Sequence, residues 1–372
     1  MTVEIVGWAA PQESSEIIPA RGPVFDAAVL RRTAEVHEAS GFDRVLIGYF
    51  TNAPDGLVVA TQVAAATERL GLLVAHRPGF VAPTLAARTF ATLDVASGGR
   101  AAMHVIAGGN DADQARDGDY SDHDVRYRRA AEYVDVCRRT WSSSEPFDHH
   151  GEFYDVDGAL SAIHPVNGET IPVYGGGGSD AAIAELAPRI DTFMVWGEPL
   201  ADTAEFFERV RAARRAGGVD APIGFSVSTR PILGATEGAA WDRARRILDQ
   251  IRSRLGERAH QPANVASQRL LDSAARGEVF DRCLWTPLAA ATGAPGNSTA
   301  LVGTPETVAQ AMADYADLGA TTLLIRGYEP LADAEDYGRE LIPRVRELVA
   351  ERALARGRTG QASVGARRFG GH

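Results

Sequence analysis

The residues best suited to hold an anion lie in the run Tyr174-Gly175-Gly176-Gly177-Gly178-Ser179-Asp180. It follows a short apolar stretch, Pro172 to Tyr174, and leads into the Ala-rich run AAIAELA, so it reads as a strand-to-helix turn. Glycines let backbone N–H groups approach a ligand closely, and a helix N-terminus adds its dipole, a combination that cradles phosphate. The run departs from G-x-G-x-x-G at Asp180 and lacks the Gly-Lys-Ser/Thr ending of a P-loop. Taken alone, it reads equally well as a turn in which Ser179 or Asp180 caps a helix. A second group is Ser121-Asp122-His123-Asp124-Val125-Arg126-Tyr127, ahead of a helical pattern carrying Tyr133, Cys137 and Trp141. His123 and Tyr127 lie four apart, hence on one helical face, where two donors could meet a phosphate or a sugar hydroxyl. The other reading of that group is a solvated capping box. His76, His104 and Tyr328 stand at or after the ends of apolar runs, and are candidates for acid or base work.

These groups need elements to position them. Short runs rich in Val, Ile and Leu alternate with longer stretches of helical periodicity, the pattern of repeated βα units. The strand candidates are Val3 to Trp8, Arg44 to Ile47, Leu72 to His76, Ala101 to Ile106, Pro172 to Tyr174, Thr192 to Trp196, Ile223 to Val227 and Thr321 to Ile325. Helix candidates between them include Asp26 to Ser40, Leu57 to Leu70 and Pro305 to Leu318, the last with proline at its first turn. Eight such repeats favour a closed α/β barrel of the TIM (β/α)₈ type over an open sheet, and closed barrels carry their working residues at the carboxyl ends of the strands. Residues 1–354 are read as one barrel domain, and 355–372, polar and Gly-rich, as a loose tail or one that docks on a neighbouring subunit. Three connections, Ala107 to His123, Ser142 to Ile171 and Gly256 to Val302, are too long for plain loops. The third suits a cover over the barrel mouth.

The chain has 372 residues, within the range of one α/β barrel with insertions, and 45% hydrophobic content provides a sizeable core. Its 38 basic and 49 acidic residues give a net charge of -11, which disfavours nucleic acid and anionic lipid as partners. No basic leader followed by a long apolar run opens the chain, and no run is long enough to span a membrane, so a cytoplasmic protein is expected. Cys137 and Cys283 form no C-x-x-C, and His and carboxylate residues show no ligand spacing, so neither a disulfide framework nor a metal site is expected.

Taken together and in order, the motifs resemble the alkanesulfonate monooxygenases of the bacterial luciferase-like family. The resemblance rests on His123-Asp124-x-Arg126-Tyr127, the glycine run before Ser179-Asp180, and Trp196-Gly197-Glu198-Pro199. It also rests on the stretches Leu73 to Asp94, Ser97 to Gly108 and Thr299 to Ala309, and it extends from about Val3 to Val349. It implies a barrel that binds FMN at the carboxyl face, takes it reduced (FMNH2) from a separate NAD(P)H-dependent reductase, and reacts it with dioxygen on a small organic substrate. A homodimer or homotetramer is also implied. Carried over by residue, His123 and Tyr127 would meet the ribityl and phosphate end, and Gly177, Gly178 and Ser179 would hold the phosphate. Trp196 would belong to the same cofactor site. His104 takes the place of a family asparagine beside the flavin ring, and Tyr328 matches a pocket tyrosine.

Departures fall on the substrate side. Where sulfonate-oxidising members carry Arg-x-His, this chain reads Ser228-Thr229-Arg230; their lid arginine falls at about Thr292, and a loop cysteine is replaced by Ala53. Arg230 and Arg326 stand where those members have His and Ser. Either could receive a sulfonate through its planar fork, or pair with an acidic neighbour such as Glu329. For an alkanesulfonate, oxygenation of the carbon bearing sulfur gives an aldehyde and sulfite. The alternatives are a sulfone or other non-sulfonate substrate, hydride transfer with a deazaflavin, and flavin binding without turnover.

Overall fold

The computed structural model describes residues 2–168, 170–255, 264–296 and 298–366. Eight strands pair in parallel: β1 (Glu4–Ala9), β2 (Arg44–Ile47), β3 (Gly71–His76), β4 (Ala101–Val105), β5 (Val173–Gly176), β6 (Thr192–Trp196), β7 (Gly224–Leu233) and β8 (Ala320–Ile325). β8 returns to β1 with Glu4 opposite Thr322, so the sheet closes into the expected (β/α)₈ barrel. Parallel neighbours need long crossovers, and helices such as Ala27–Ala39, Gly56–Ala66, Pro83–Ser97 and Pro305–Leu318 supply them. Asp26 and Asp55 start the first two by accepting from the backbone N–H groups that follow.

Alternation along the strands divides the core. Val6, Leu46, Leu73, Ala102, Tyr174 and Leu324 fill the barrel, while their neighbours Ile5, Val45, Leu72, Met103, Val173 and Leu323 pack outward against the helices. The amino end is closed by Glu4. Its carboxylate takes hydrogen bonds from Arg44 Nε at 3.0 Å, the Tyr174 hydroxyl at 2.7 Å and Thr322 Oγ1 at 3.2 Å. The carboxyl end is left to form a site.

The long connections carry structure that the apolar pattern does not announce. An antiparallel hairpin, Phe147–His150 with Asp155–Ala159, lies in the second of them. In the third, the helices Val265–Arg276 and Pro287–Thr292 accompany a strand at Ala300–Gly303 that runs alongside the outer half of β7, Ala300 opposite Arg230. This pairing corrects the end of β7. Ser228-Thr229-Arg230-Pro231 is too polar and Pro-broken to read as strand, yet its backbone is satisfied by a partner distant in sequence. The segment expected as a lid falls partly on 256–263 and 297, outside the described residues. The last helix runs Ile342–Ala366, past the point where a loose tail is expected; its proline, Pro343, falls in the first turn and none follows it, and 367–372 lie outside the described residues. Among the described residues no helix is long and apolar enough to cross a membrane, and no group of three His, Cys, Asp or Glu could hold a metal ion.

Candidate functional site

A cavity of about 640 Å³ opens where the strands end. The alternation that fills the barrel also aims residues into it: two positions beyond Ala102, Met194 and Leu324 come His104, Trp196 and Arg326, and all three line the cavity. Trp8 and Leu46 line it from β1 and β2.

One wall is the glycine turn after β5. Ser179 caps the helix Asp180–Leu186, its Oγ accepting from Ala182 N at 3.2 Å, so the cap reading of Ser179 is correct. The hydroxyl still has a proton to donate, and Ser179 lines the cavity with Gly176, Gly177 and Gly178. A Cβ at Gly177 would collide with the Tyr127 hydroxyl and come within 2.5 Å of Ala182 Cβ; one at Gly178 would meet Ala266 N at 2.9 Å. Only glycine leaves this passage open. Tyr127 and His123 come from the helix His123–Ser142, their rings edge-to-face at 5.0 Å, and both line the cavity. Burial pushes the Tyr127 phenol up to about 12, so at neutral pH it is a proton donor. His123 Nδ1 lies 2.7 Å from Asp124 Oδ1.

His104 is half-buried at the end of β4, and its buried Nδ1 has no hydrogen-bond partner among the described residues. Burial pushes its pKa down to about 4, so the ring is neutral at physiological pH. Another part of the wall, from β7 and the end of β8, holds Arg230, Arg326 and Tyr328. Arg230 sits within β7, not beyond its end, and each of its guanidinium nitrogens has a partner. It reaches Glu16 through both Nη atoms at 3.0 Å, donates to the carbonyls of Arg326 at 2.8 Å and Gly327 at 2.9 Å, and stacks over the Tyr328 ring at 3.9 Å. Burial alone would raise the Glu16 carboxyl, but the Arg230 guanidinium and its hydrogen bonds, helped by Arg326, hold it at about 2. Burial pushes the Tyr328 phenol up to about 12, with Arg230 opposing.

Two expectations are corrected. His76 does not line the cavity: it shares the parity of Leu72 and Val74, so it points to the helix layer, where Nε2 lies 2.7 Å from the Tyr133 hydroxyl and the ring meets Phe90 edge-on. The partner of Arg230 is Glu16, whereas Glu329 pairs with Arg243. Several lining residues escape a sequence reading. Glu16 lies in the irregular loop after β1 and has no local signal. Arg77 pairs with Asp113 at 3.0 Å and lies over the Tyr49 ring at 4.4 Å, and Arg269 pairs with Glu198. Arg77 could have been suspected, because it follows inward-facing Leu73 and Ala75 at the same parity.

Solved structures of the same shape accompany this geometry. EDTA monooxygenase from Chelativorans sp. BNC1 superposes with a TM-score of 0.74 at 21% identity, covering 93% of this chain and 94% of that one. A riboflavin lyase, in complex with modified FMN and riboflavin, gives 0.76 at 19% identity over 93% and 92%. An F420-dependent secondary alcohol dehydrogenase with an F420-acetone adduct gives 0.66 at 17% identity over 93% and 100%. At these identities the likeness is one of fold. The luciferase-like monooxygenase family model matches residues 5–322, most of the chain, and the protein belongs to that family.

Proposed function

We propose that this protein is the oxygenating component of a two-component system, accepting reduced FMN from a separate NAD(P)H-dependent reductase and using dioxygen to oxygenate a small organic substrate, with an alkanesulfonate as the first class to test. The observation that carries the reading is the glycine passage at Gly177 and Gly178, kept open beside Tyr127 and Ser179 on one wall of a cavity of about 640 Å³. That size suits a flavin and a small partner. Two phenol or hydroxyl donors and a glycine backbone match a phosphate, and an unpartnered ring nitrogen on His104 matches a polar edge of a ring system.

In this reading Gly177, Gly178, Ser179, Tyr127 and His123 hold the phosphate and ribityl end, with Trp196 and His104 toward the ring. Reduced FMN supplies the electrons that activate dioxygen. The chain's own part is to orient and to exclude water: Trp8, Leu46 and Met194 make an apolar floor. His104, neutral at physiological pH, has a ring nitrogen free to accept a proton, and Tyr328, kept protonated, is able to donate one. Anaerobic titration with oxidised and reduced FMN tests the cofactor. Micromolar or tighter binding of reduced FMN, tighter than oxidised, is expected. Oxygen consumption with a panel of sulfonates and sulfones, following sulfite and product mass, tests the reaction and separates it from deazaflavin hydride transfer. FMN binding in neither redox state would remove the flavin assignment.

A further inference from the structure

We propose that Arg326 is the substrate receptor of this cavity, and that it takes a compact monoanionic head, a carboxylate or a sulfonate, carried on a small apolar body. The proposal rests on the flavin-dependent oxygenation reading and names a substrate class for it.

Among the described residues four arginines line the cavity: Arg77, Arg230, Arg269 and Arg326. Three are already matched by carboxylates, Arg77 by Asp113, Arg230 by Glu16 and Arg269 by Glu198. Among the described residues, the two carboxylates on the cavity wall, Glu16 and Glu198, spend both oxygens on hydrogen bonds to Arg230 and Arg269; Glu16 attracts Arg326 only at longer range and makes no hydrogen bond to it. Arg326 has neither an ion pair nor a side-chain hydrogen bond among the described residues, and its Nε is buried without an acceptor. Its guanidinium carbon lies 5.1 Å from the centre of the Trp8 ring. The guanidinium is half-buried and without an acceptor, which is costly, and the neighbouring Arg230 adds repulsion that Glu16 only partly offsets. A ligand anion that fills its planar fork removes both costs.

The position of Arg326 separates this role from the cofactor's phosphate. In the ring of eight strands β5 stands opposite β1, and β8 lies beside β1. Arg326, following β8, therefore faces the glycine turn across the cavity. Since Arg230 is neutralised in place, the wall offers one net positive charge, which suits a monoanion. Trp8, Leu46 and Leu324 beside it are apolar and suit a hydrocarbon body.

The test is isothermal titration of the full chain, with and without FMN, using butanoate, hexanoate and octanoate, the corresponding alkanesulfonates, and neutral alkyl methyl sulfones of matched length. At least one anionic series should bind at least about tenfold more tightly than its matched sulfones, and whichever series binds names the head. Arg326→Met should lose at least about tenfold for the anions and nothing for the sulfones, and Arg326→Lys should recover part of the loss. FMN affinity and unfolding temperature, measured on the same samples, report whether each variant is folded. The proposal is overturned if no anion binds, if Arg326→Met binds anions as wild type does, or if Arg326→Met weakens FMN and spares the anions, which would make the cation a cofactor group. If FMN fails to bind while the anion discrimination persists, the oxygenase reading falls and the receptor stands.

Discussion

Replacing Glu16 with Gln isolates the role of the ion pair that closes one wall of the cavity. Removing one partner of a fully buried ion pair costs about 3–5 kcal/mol. Here the Arg230 side chain is 2% exposed but that of Glu16 is 34% exposed, so solvent screening reduces the loss. Arg230 also keeps two backbone carbonyls and the Tyr328 ring, and the new amide oxygen can still accept one hydrogen bond. The expected loss is therefore about 2 kcal/mol, or about 2–3 °C in unfolding temperature for a chain of this size. The pH dependence gives the sharper check. Glu16 is held at about 2 in the folded protein against an ordinary value of 4.5. A carboxyl lowered on folding contributes stability that is complete above the unfolded value and is lost as pH falls through the folded one. The gap between wild type and Glu16→Gln should thus be full at pH 7 and shrink between about pH 4.5 and 2. Thermal unfolding followed by circular dichroism across that range measures it. A variant as stable as wild type at pH 7, or a gap as large at pH 2.5 as at pH 7, would refute the reasoning. With Arg230 unmatched, the same variant should also bind the anionic probes more tightly.

Ser179→Ala combined with Tyr127→Phe should weaken FMN binding by roughly 1–3 kcal/mol, the range for hydrogen bonds to a charged group, measured by flavin titration. Unchanged affinity would leave the two residues as a helix cap and a packing ring. His76→Gln should leave FMN affinity and turnover unaltered while lowering stability by roughly 1–3 kcal/mol, since a buried hydroxyl loses a well-placed partner. Burial lowers the His76 pKa from 6.5 to about 4, so its contribution is present above about pH 6.5 and lost toward pH 4. The variant's acid decline should accordingly be shallower than that of wild type, and lost activity at unchanged stability would return His76 to the site.

The fold was legible in the sequence because it rests on local periodicity. Eight apolar runs, each followed by a helical pattern, need no knowledge of contacts, and Pro305–Leu318 falls where its proline and apolar spacing put it. The glycine turn and the pair His123 and Tyr127 were legible for a related reason: a strand end and a helix start bring them to one face of the barrel. His76 shows the limit, because the end of a strand says little about the face, and one residue of parity sends a side chain to the helices instead of the ligand. β7 was cut short because Ser228 to Pro231 looks like a loop until the strand Ala300–Gly303, from a distant insertion, satisfies its backbone. Charge at the site was the least legible of all. Arg77, Arg230, Arg269 and Arg326 are indistinguishable as residue types, and only tertiary contacts decide which are matched. Glu16, 214 residues from Arg230 in sequence, pairs with that arginine, and the closure of the barrel brings Arg326 to the cavity without an ion pair of its own among the described residues.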